Sequence, residues 1–272
     1  MAHWRCGMLL VVALAGCANY SPELRRESAA ATATAADWVA VRLATDSFVL
    51  AGFIPRTTHS SETLTIYIEG DGLAWFGNSQ ISLDPTPLHA TGLKLALQHP
   101  HGAAAYLARP CQYVTGADRR NCAATWWTDR RFAPEVVSAT DQAVQQLKQR
   151  FAARHLVLIG YSGGGAIAAL VAARRQDVVR LVTVAGNLDH AAWTRRHHLS
   201  PLRGSLNPAD AWRNLLDIPQ LHFIGGRDPV MERAIAASYQ ARFPADRQPP
   251  LRVIDAFDHD CCWAAAWPSL YH

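Results

Sequence analysis

What the 272-residue sequence lacks narrows its function first. Charged residues make up only 18% of it, and the net charge of +4 comes almost wholly from arginines in isolated pairs (Arg119-Arg120, Arg130-Arg131, Arg174-Arg175, Arg195-Arg196) broken up by acidic and apolar residues. No basic stripe forms, so a nucleic-acid partner is not expected. Cysteines and histidines do not stand at zinc-ligand spacing: Cys261 and Cys262 are adjacent, and the His197-His198 pair has no carboxylate at ligand distance along the chain, so no metal is expected. The glycines of 160–165 lack both a dinucleotide-binding spacing and the lysine that a phosphate-binding loop needs, so no cofactor is expected either. The longest apolar run near the start, Met8 to Ala15, is too short to cross a bilayer as a mature helix. Half of the residues are hydrophobic, enough for a large core, and the length fits one domain of α/β type or two small ones.

The informative stretch is central. Leu156-Val157-Leu158-Ile159 is a short apolar run with β-branched members, the mark of a buried parallel strand, and 166–173 is alanine-rich and strongly helix-forming. Between them stands Gly160-Tyr161-Ser162-Gly163-Gly164. A serine at the tip of a sharp strand-to-helix turn has a strained backbone, so the positions two before and two after it must be small. Both are glycine here. The helix that starts behind Ser162 points unpaired N–H groups, that of Gly163 among them, at the place where an oxyanion would form. Strand, elbow and helix together resemble the α/β-hydrolase superfamily. The resemblance implies a mainly parallel central sheet with helices on both faces, a small helical cap, and an acid and a base that follow the serine in that order.

Further along, β-branched and apolar runs predict strands at 38–44 and 47–54, joined as an antiparallel hairpin, then at 63–68, 103–108, 178–185, 220–224 and 251–254. Helices are predicted over 88–98, 134–151 and 230–243. Asp228 follows the strand at 220–224 and His259 follows the one at 251–254, so Ser162, Asp228 and His259 stand in the order nucleophile, acid, base. Such a trio is what the chemistry requires: a neutral imidazole takes the serine proton, and a carboxylate fixes its tautomer. Asp189, Asp255 and Asp258 remain alternative carboxylates. In the superfamily, the loop after the third strand supplies a second oxyanion donor. Glu69-Gly70-Asp71 stands where many relatives have His-Gly-x, which points to the Asp71 N–H. An inward-facing carboxylate would oppose an oxyanion, so Asp71 is expected to turn toward a cation such as Arg109 or Arg130. At Gly163 only a bulky side chain is expected to do harm. Trp126-Trp127 reads as core, and residues 188–217, rich in tryptophan, arginine and proline, stand where α/β-hydrolases insert a cap.

At the N-terminus, Arg5 and the apolar run suit a secretory signal, and Leu14-Ala15-Gly16-Cys17 resembles the lipobox of bacterial lipoproteins. That implies removal of residues 1–16, a lipid on Cys17 and a place in the bacterial cell envelope, on the periplasmic or outer face of a membrane. Residues 17–36 read as a flexible tether and 37–272 as the hydrolase domain. Export permits disulfides. Cys111 and Cys122 flank a polar loop that a bridge is expected to close, while Cys261 and Cys262 are left unassigned. The expectation is a monomeric, membrane-anchored serine hydrolase that cleaves an ester or related acyl bond in a small-molecule or lipid substrate. A serine peptidase of the same fold, and a non-catalytic envelope lipoprotein that keeps the fold for binding, stay open.

Overall fold

A computed structural model describes residues 21–77 and 79–271. β1 (Trp38–Ala44) and β2 (Val49–Pro55) form the expected antiparallel hairpin at one edge of an eight-stranded sheet. The turn between them is closed by Thr45, whose hydroxyl bonds the Phe48 carbonyl at 2.8 Å and accepts from the Phe48 N–H at 3.1 Å. β3 (Thr63–Ile68) belongs to this sheet, whereas β4 (Trp75–Phe76) and β5 (Gln80–Ile81) pair only with each other as a small ribbon. β6 (Ala103–Leu107), β7 (His155–Tyr161), β8 (Val178–Val184), β9 (Gln220–Gly225) and β10 (Leu251–Ile254) complete it. The order is β1-β2-β6-β3-β7-β8-β9-β10, and every neighbouring pair from β6 to β10 is parallel. The C-terminal ends of six strands therefore share one rim, where ligands bind in open sheets of this kind.

Alternation along the strands divides the core in two. Leu64, Ile66, Ile68, Leu156 and Leu158 face one side, which α3 (Pro134–Arg150) and α4 (Gly163–Ala172) cover. Tyr67, Val157, Ile159 and Tyr161 face the other, under α1 (Pro22–Ala35), α2 (Thr91–Leu97) and α7 (Trp263–Leu270). α7 has no periodicity that announces it, yet Trp263 and Trp267 are its anchors, fully buried; the Trp267 indole N–H donates to the Tyr67 hydroxyl at 2.8 Å. Between β8 and β9, the segment expected as a cap carries α5 (His190–Arg196) and a 3-10 turn, Pro208–Leu215. The Asp189 side chain caps α5 by accepting from the Ala192 N–H at 3.0 Å. α6 (Arg233–Gln240) follows β9.

One expectation does not hold. Pro22–Ala35, read as part of a tether, is a helix. Ser21 caps it through a bond from the Leu24 N–H, and Pro22 stands in its first turn, where a missing N–H costs nothing. Its alanines are what made it resemble a linker, and the same alanines let it lie close against the body: Ala29 and Ala33 are buried, and Arg25 donates to the Thr86 carbonyl. The signal segment 1–16, Cys17 and residues 18–20 lie outside the described residues. Among the described residues no helix is long and apolar enough to cross a membrane. Cys111 and Cys122 form a disulfide, with Cα atoms 5.6 Å apart, and Cys261 is bonded to Cys262.

Candidate active site

Ser162 sits between β7 and α4 with φ 51° and ψ −122°, in a region that L-residues rarely adopt. Its backbone is held on both sides. The Ser162 N–H donates to the Val184 carbonyl at 2.9 Å, and its carbonyl accepts from Gly165 at 2.9 Å and Asn187 at 3.0 Å. A Cβ on Gly160 would run into the Gly164 carbonyl, and one on Gly164 into the carbonyls of Ile68 and Glu69. The two small residues that the elbow requires are thus imposed by the closeness of β7, α4 and the end of β3.

His259, in the loop after β10, brings Nε2 to 3.0 Å from Ser162 Oγ and Nδ1 to 2.9 Å from Asp228 Oδ2. Asp228, after β9, has its other oxygen filled by the N–H groups of Val230 at 2.7 Å and Met231 at 2.8 Å. Burial would raise the Asp228 carboxyl, but its bond to His259, the His259 charge and those two N–H groups together hold it below the usual carboxylate range. With Nδ1 donating to Asp228, Nε2 is the acceptor that faces the serine. The main chain that carries the imidazole is fixed as well, because the His259 carbonyl accepts from the Tyr161 hydroxyl and the Trp263 indole, each at 3.1 Å. The three alternative carboxylates are engaged elsewhere or turned away. Asp258 accepts from the Asp260 and Cys261 N–H groups, Asp189 caps α5 and binds Asn207 and Ser238, and Asp255 is exposed.

Beside the elbow, Asp71 lies between two guanidinium groups: Oδ1 is 3.0 Å from Arg109 Nη1 and Oδ2 is 2.8 Å from Arg131 Nη1. Burial pushes the Asp71 carboxyl up, and the two arginines, Arg131 foremost, overcome this and bring it below its ordinary value. Arg109 is the expected partner, but the second is Arg131 and not Arg130. Adjacent side chains diverge here. Arg131 is held inward by a bond from Nε to the Thr128 carbonyl at 2.6 Å and lies over Trp193 of α5, while Arg130 points out to Glu135 at 2.7 Å and over Trp126. Arg109 also donates to the Arg131 carbonyl, which ties the pair together.

Asp71 also changes the expectation for Gly163. A methyl there would meet the Asp71 carboxylate, with Oδ2 only 2.7 Å from the new carbon and Oδ1 nearer still, so even alanine is too large. Neither the Asp71 N–H nor the Gly163 N–H has an acceptor among the described residues, and both border Ser162.

Sequence reasoning missed Glu69. Its buried carboxylate accepts from the N–H groups of Gly70 and Gly92, each at 3.0 Å, from Leu93 at 3.3 Å and from the Tyr106 hydroxyl at 3.0 Å. Burial raises its carboxyl despite these donors. Glu69 thereby clamps the loop that carries Asp71 to the start of α2. A glutamate after a strand in place of the common histidine was the available signal. Trp127 is buried as read, its indole donating to the Ser82 carbonyl at 3.0 Å. His197 Nε2 is 3.0 Å from the Val230 carbonyl, and among the described residues no cluster of three or more His, Cys, Asp or Glu side chains is arranged to hold a metal ion.

No protein-family profile and no curated protein sequence matches the chain. Its backbone does resemble solved structures. An esterase from Pyrococcus furiosus superposes with a TM-score of 0.59 at 14% identity, over 86% of this chain and 90% of that one. A putative dienelactone hydrolase from Klebsiella pneumoniae gives 0.57 at 16% identity, over 86% and 91%. A lidless α/β serine hydrolase from Xanthomonas campestris gives 0.54 at 12%, over 86% and 93%. At such identities the likeness speaks to architecture, and with the strand order and the elbow already described it establishes that this chain has the α/β-hydrolase fold.

Proposed function

We propose that this protein is a serine hydrolase that cleaves an ester or related acyl bond through Ser162, His259 and Asp228, and that a lipid on Cys17 anchors it in a bacterial envelope. The observation that carries the catalytic reading is the continuous chain of contacts from Ser162 Oγ to His259 Nε2 at 3.0 Å and from His259 Nδ1 to Asp228 at 2.9 Å. The esterase and the putative dienelactone hydrolase among the structural neighbours suit it. In the reaction, Nε2 takes the serine proton as Oγ attacks the acyl carbon, and Asp228, held ionised, stabilises the imidazolium. The carbonyl oxygen becomes an oxyanion, and the free N–H groups of Gly163 and Asp71 are its donors. The imidazolium then gives its proton to the departing alcohol, which leaves an ester on Ser162. Water, deprotonated by the same nitrogen, attacks that ester and releases the acid with the serine restored.

The two positive charges on the single Asp71 carboxylate leave one in excess behind this oxyanion site, so the electrostatic objection to an aspartate there does not apply. A fluorophosphonate probe tests the reading directly. Wild type should be labelled at Ser162 and turn over a p-nitrophenyl ester, and Ser162→Ala should do neither. An unlabelled wild type would favour a binding protein instead. For anchoring, a clickable palmitate analogue should enter wild type and not Cys17→Ser; equal incorporation in both would refute it.

A further inference from the structure

The large apolar side chains that the described residues expose are concentrated in one neighbourhood. Seven stand out, and five of them are Leu24, Trp75, Ile81, Leu83 and Leu88; only Val179 and Leu199 lie elsewhere. Leu83 is 87% exposed. The five are joined by the elements that carry them. Trp75 is paired with Ile81 across the β4–β5 ribbon, and Ser82 N–H donates to the Ala74 carbonyl at 2.9 Å. Arg119 bonds both the Leu83 carbonyl and the Asp84 carboxylate, and from the other side Arg26 of α1 reaches the same Asp84 at 3.1 Å. With Arg25 bonded to the Thr86 carbonyl, the first turn of α1, where Leu24 stands, lies against the loop of 83–88. Scattered surface leucines need no explanation, but four large exposed apolar groups within residues 75–88 and a fifth on the helix turn bonded to that stretch mark a contact face.

The start of the chain says what the face meets. Cys17 is only four residues before Ser21, and four residues at full extension reach about 14 Å. Ser21 opens a helix that is docked on the body through Ala29, Ala33 and Arg25. A lipid on Cys17 therefore cannot let the domain tumble at a distance; it holds the Leu24 end of the molecule within that reach of the bilayer. We infer that Leu24, Trp75, Ile81, Leu83 and Leu88 form a face that seats the protein in the interfacial layer of a lipid membrane, an inference that rests on the lipidation reading of Cys17. Tryptophan with aliphatic neighbours is the composition such a layer favours. The face adjoins the candidate site. The Leu73 N–H donates to the Pro85 carbonyl at 3.2 Å, and Gly72, next to Asp71, packs on that same carbonyl. An acyl ester resident in the bilayer would thus be met at the edge of the loop that borders Ser162.

The test uses the full-length protein, purified from membranes and reconstituted in phosphatidylethanolamine–phosphatidylglycerol vesicles. Intact mass first reads the lipid on Cys17; its absence overturns the anchoring reading and this inference with it, while turnover of a soluble p-nitrophenyl ester reads the catalytic proposal separately. With brominated acyl chains in the vesicles, tryptophan emission should be quenched in wild type, and Trp75→Phe should remove most of the quenched fraction. Ile81→Asp with Leu83→Asp should leave turnover of the soluble ester unchanged and lower turnover of a long-chain ester dissolved in the vesicles by about tenfold or more, as expected for two apolar groups withdrawn from the interface. Equal quenching in wild type and Trp75→Phe, or an unchanged ratio of the two turnovers, would overturn the inference. So would self-association of wild type that Leu83→Asp abolishes without any quenching, which would assign the face to a second copy of the chain.

Discussion

Gly163→Ala is the smallest change that sets the Asp71 cluster against the elbow. On helix propensity alone, alanine in the first turn of α4 should stabilise the fold, by up to about 1 kcal/mol. The structure demands the opposite sign. The new methyl lands within contact distance of the Asp71 carboxylate, and the elbow cannot give way because the Ser162 backbone is bonded to Val184, Gly165 and Asn187. The carboxylate must retreat by about 1.5 Å to reach an ordinary separation. Its contacts of 3.0 Å to Arg109 and 2.8 Å to Arg131 then stretch beyond the range of strong charge-assisted bonds. Overpacking costs about 1–3 kcal/mol, and weakening a buried ion cluster adds part of the 3–5 kcal/mol or so that full loss of one partner costs. The net, about 3–4 kcal/mol, corresponds to a fall in Tm of about 10 °C for a domain of this size. Because the Asp71 N–H moves with its side chain, kcat should drop by about 10²-fold or more. Thermal melts by circular dichroism and steady-state kinetics on a p-nitrophenyl ester read both quantities. A raised Tm with kcat within about twofold of wild type would show that propensity wins and that Asp71 does not constrain the oxyanion side.

Asp228→Asn keeps the shape of the triad but removes tautomer control, so kcat should fall by about 10⁴-fold with little change in Tm, whereas Asp258→Asn should leave kcat nearly intact; the reverse pattern would reassign the acid. Cys111→Ala with Cys122→Ala opens a short loop beside the candidate site and should cost about 2–3 kcal/mol in chemical denaturation, and an unchanged midpoint would refute a structural role. His222, buried on β9 with Nδ1 2.9 Å from the Thr183 hydroxyl, is held by burial at about 3, below its ordinary 6.5. The native state then binds fewer protons than the unfolded chain between those values, so stability falls as pH drops through that window. By pH 5 the loss from this group is about 2 kcal/mol, from 1.5 pH units at 1.36 kcal/mol each. His222→Asn should flatten the dependence of stability on pH between neutrality and pH 5, and an equally steep loss in the variant would refute the assignment.

Much of this molecule was legible because its signals are local. The run 156–165 dictates a strand, an elbow and a helix whatever the surroundings, and Asp228 and His259 stand directly after strands that their own β-branched runs announce. The rest depends on partners distant in the chain. The alanines of Pro22–Ala35 have no strong apolar face, so the helix is specified by what it packs on, β1 and α2, rather than by its own pattern. Choosing between Arg130 and Arg131 requires knowing which way the backbone turns at Thr128. The role of Glu69 was not legible because the three N–H groups and the Tyr106 hydroxyl that satisfy it come from its own loop, α2 and β6. The bond between Cys261 and Cys262 had no spacing argument behind it.

The sheet order also sets a clock. Ser162 follows β7, Asp228 follows β9 and His259 follows the edge strand β10, with 97 residues separating Ser162 from His259. Pairings so remote in sequence form slowly, since the chain entropy of closing long loops is lost before any contact repays it. The elbow can be complete while the edge of the sheet is still open, and a chain in that condition has Ser162 without His259 in reach. During refolding, far-ultraviolet ellipticity should therefore recover ahead of any turnover of a p-nitrophenyl ester, because on the proposed function hydrolysis waits until the last parallel strand has docked.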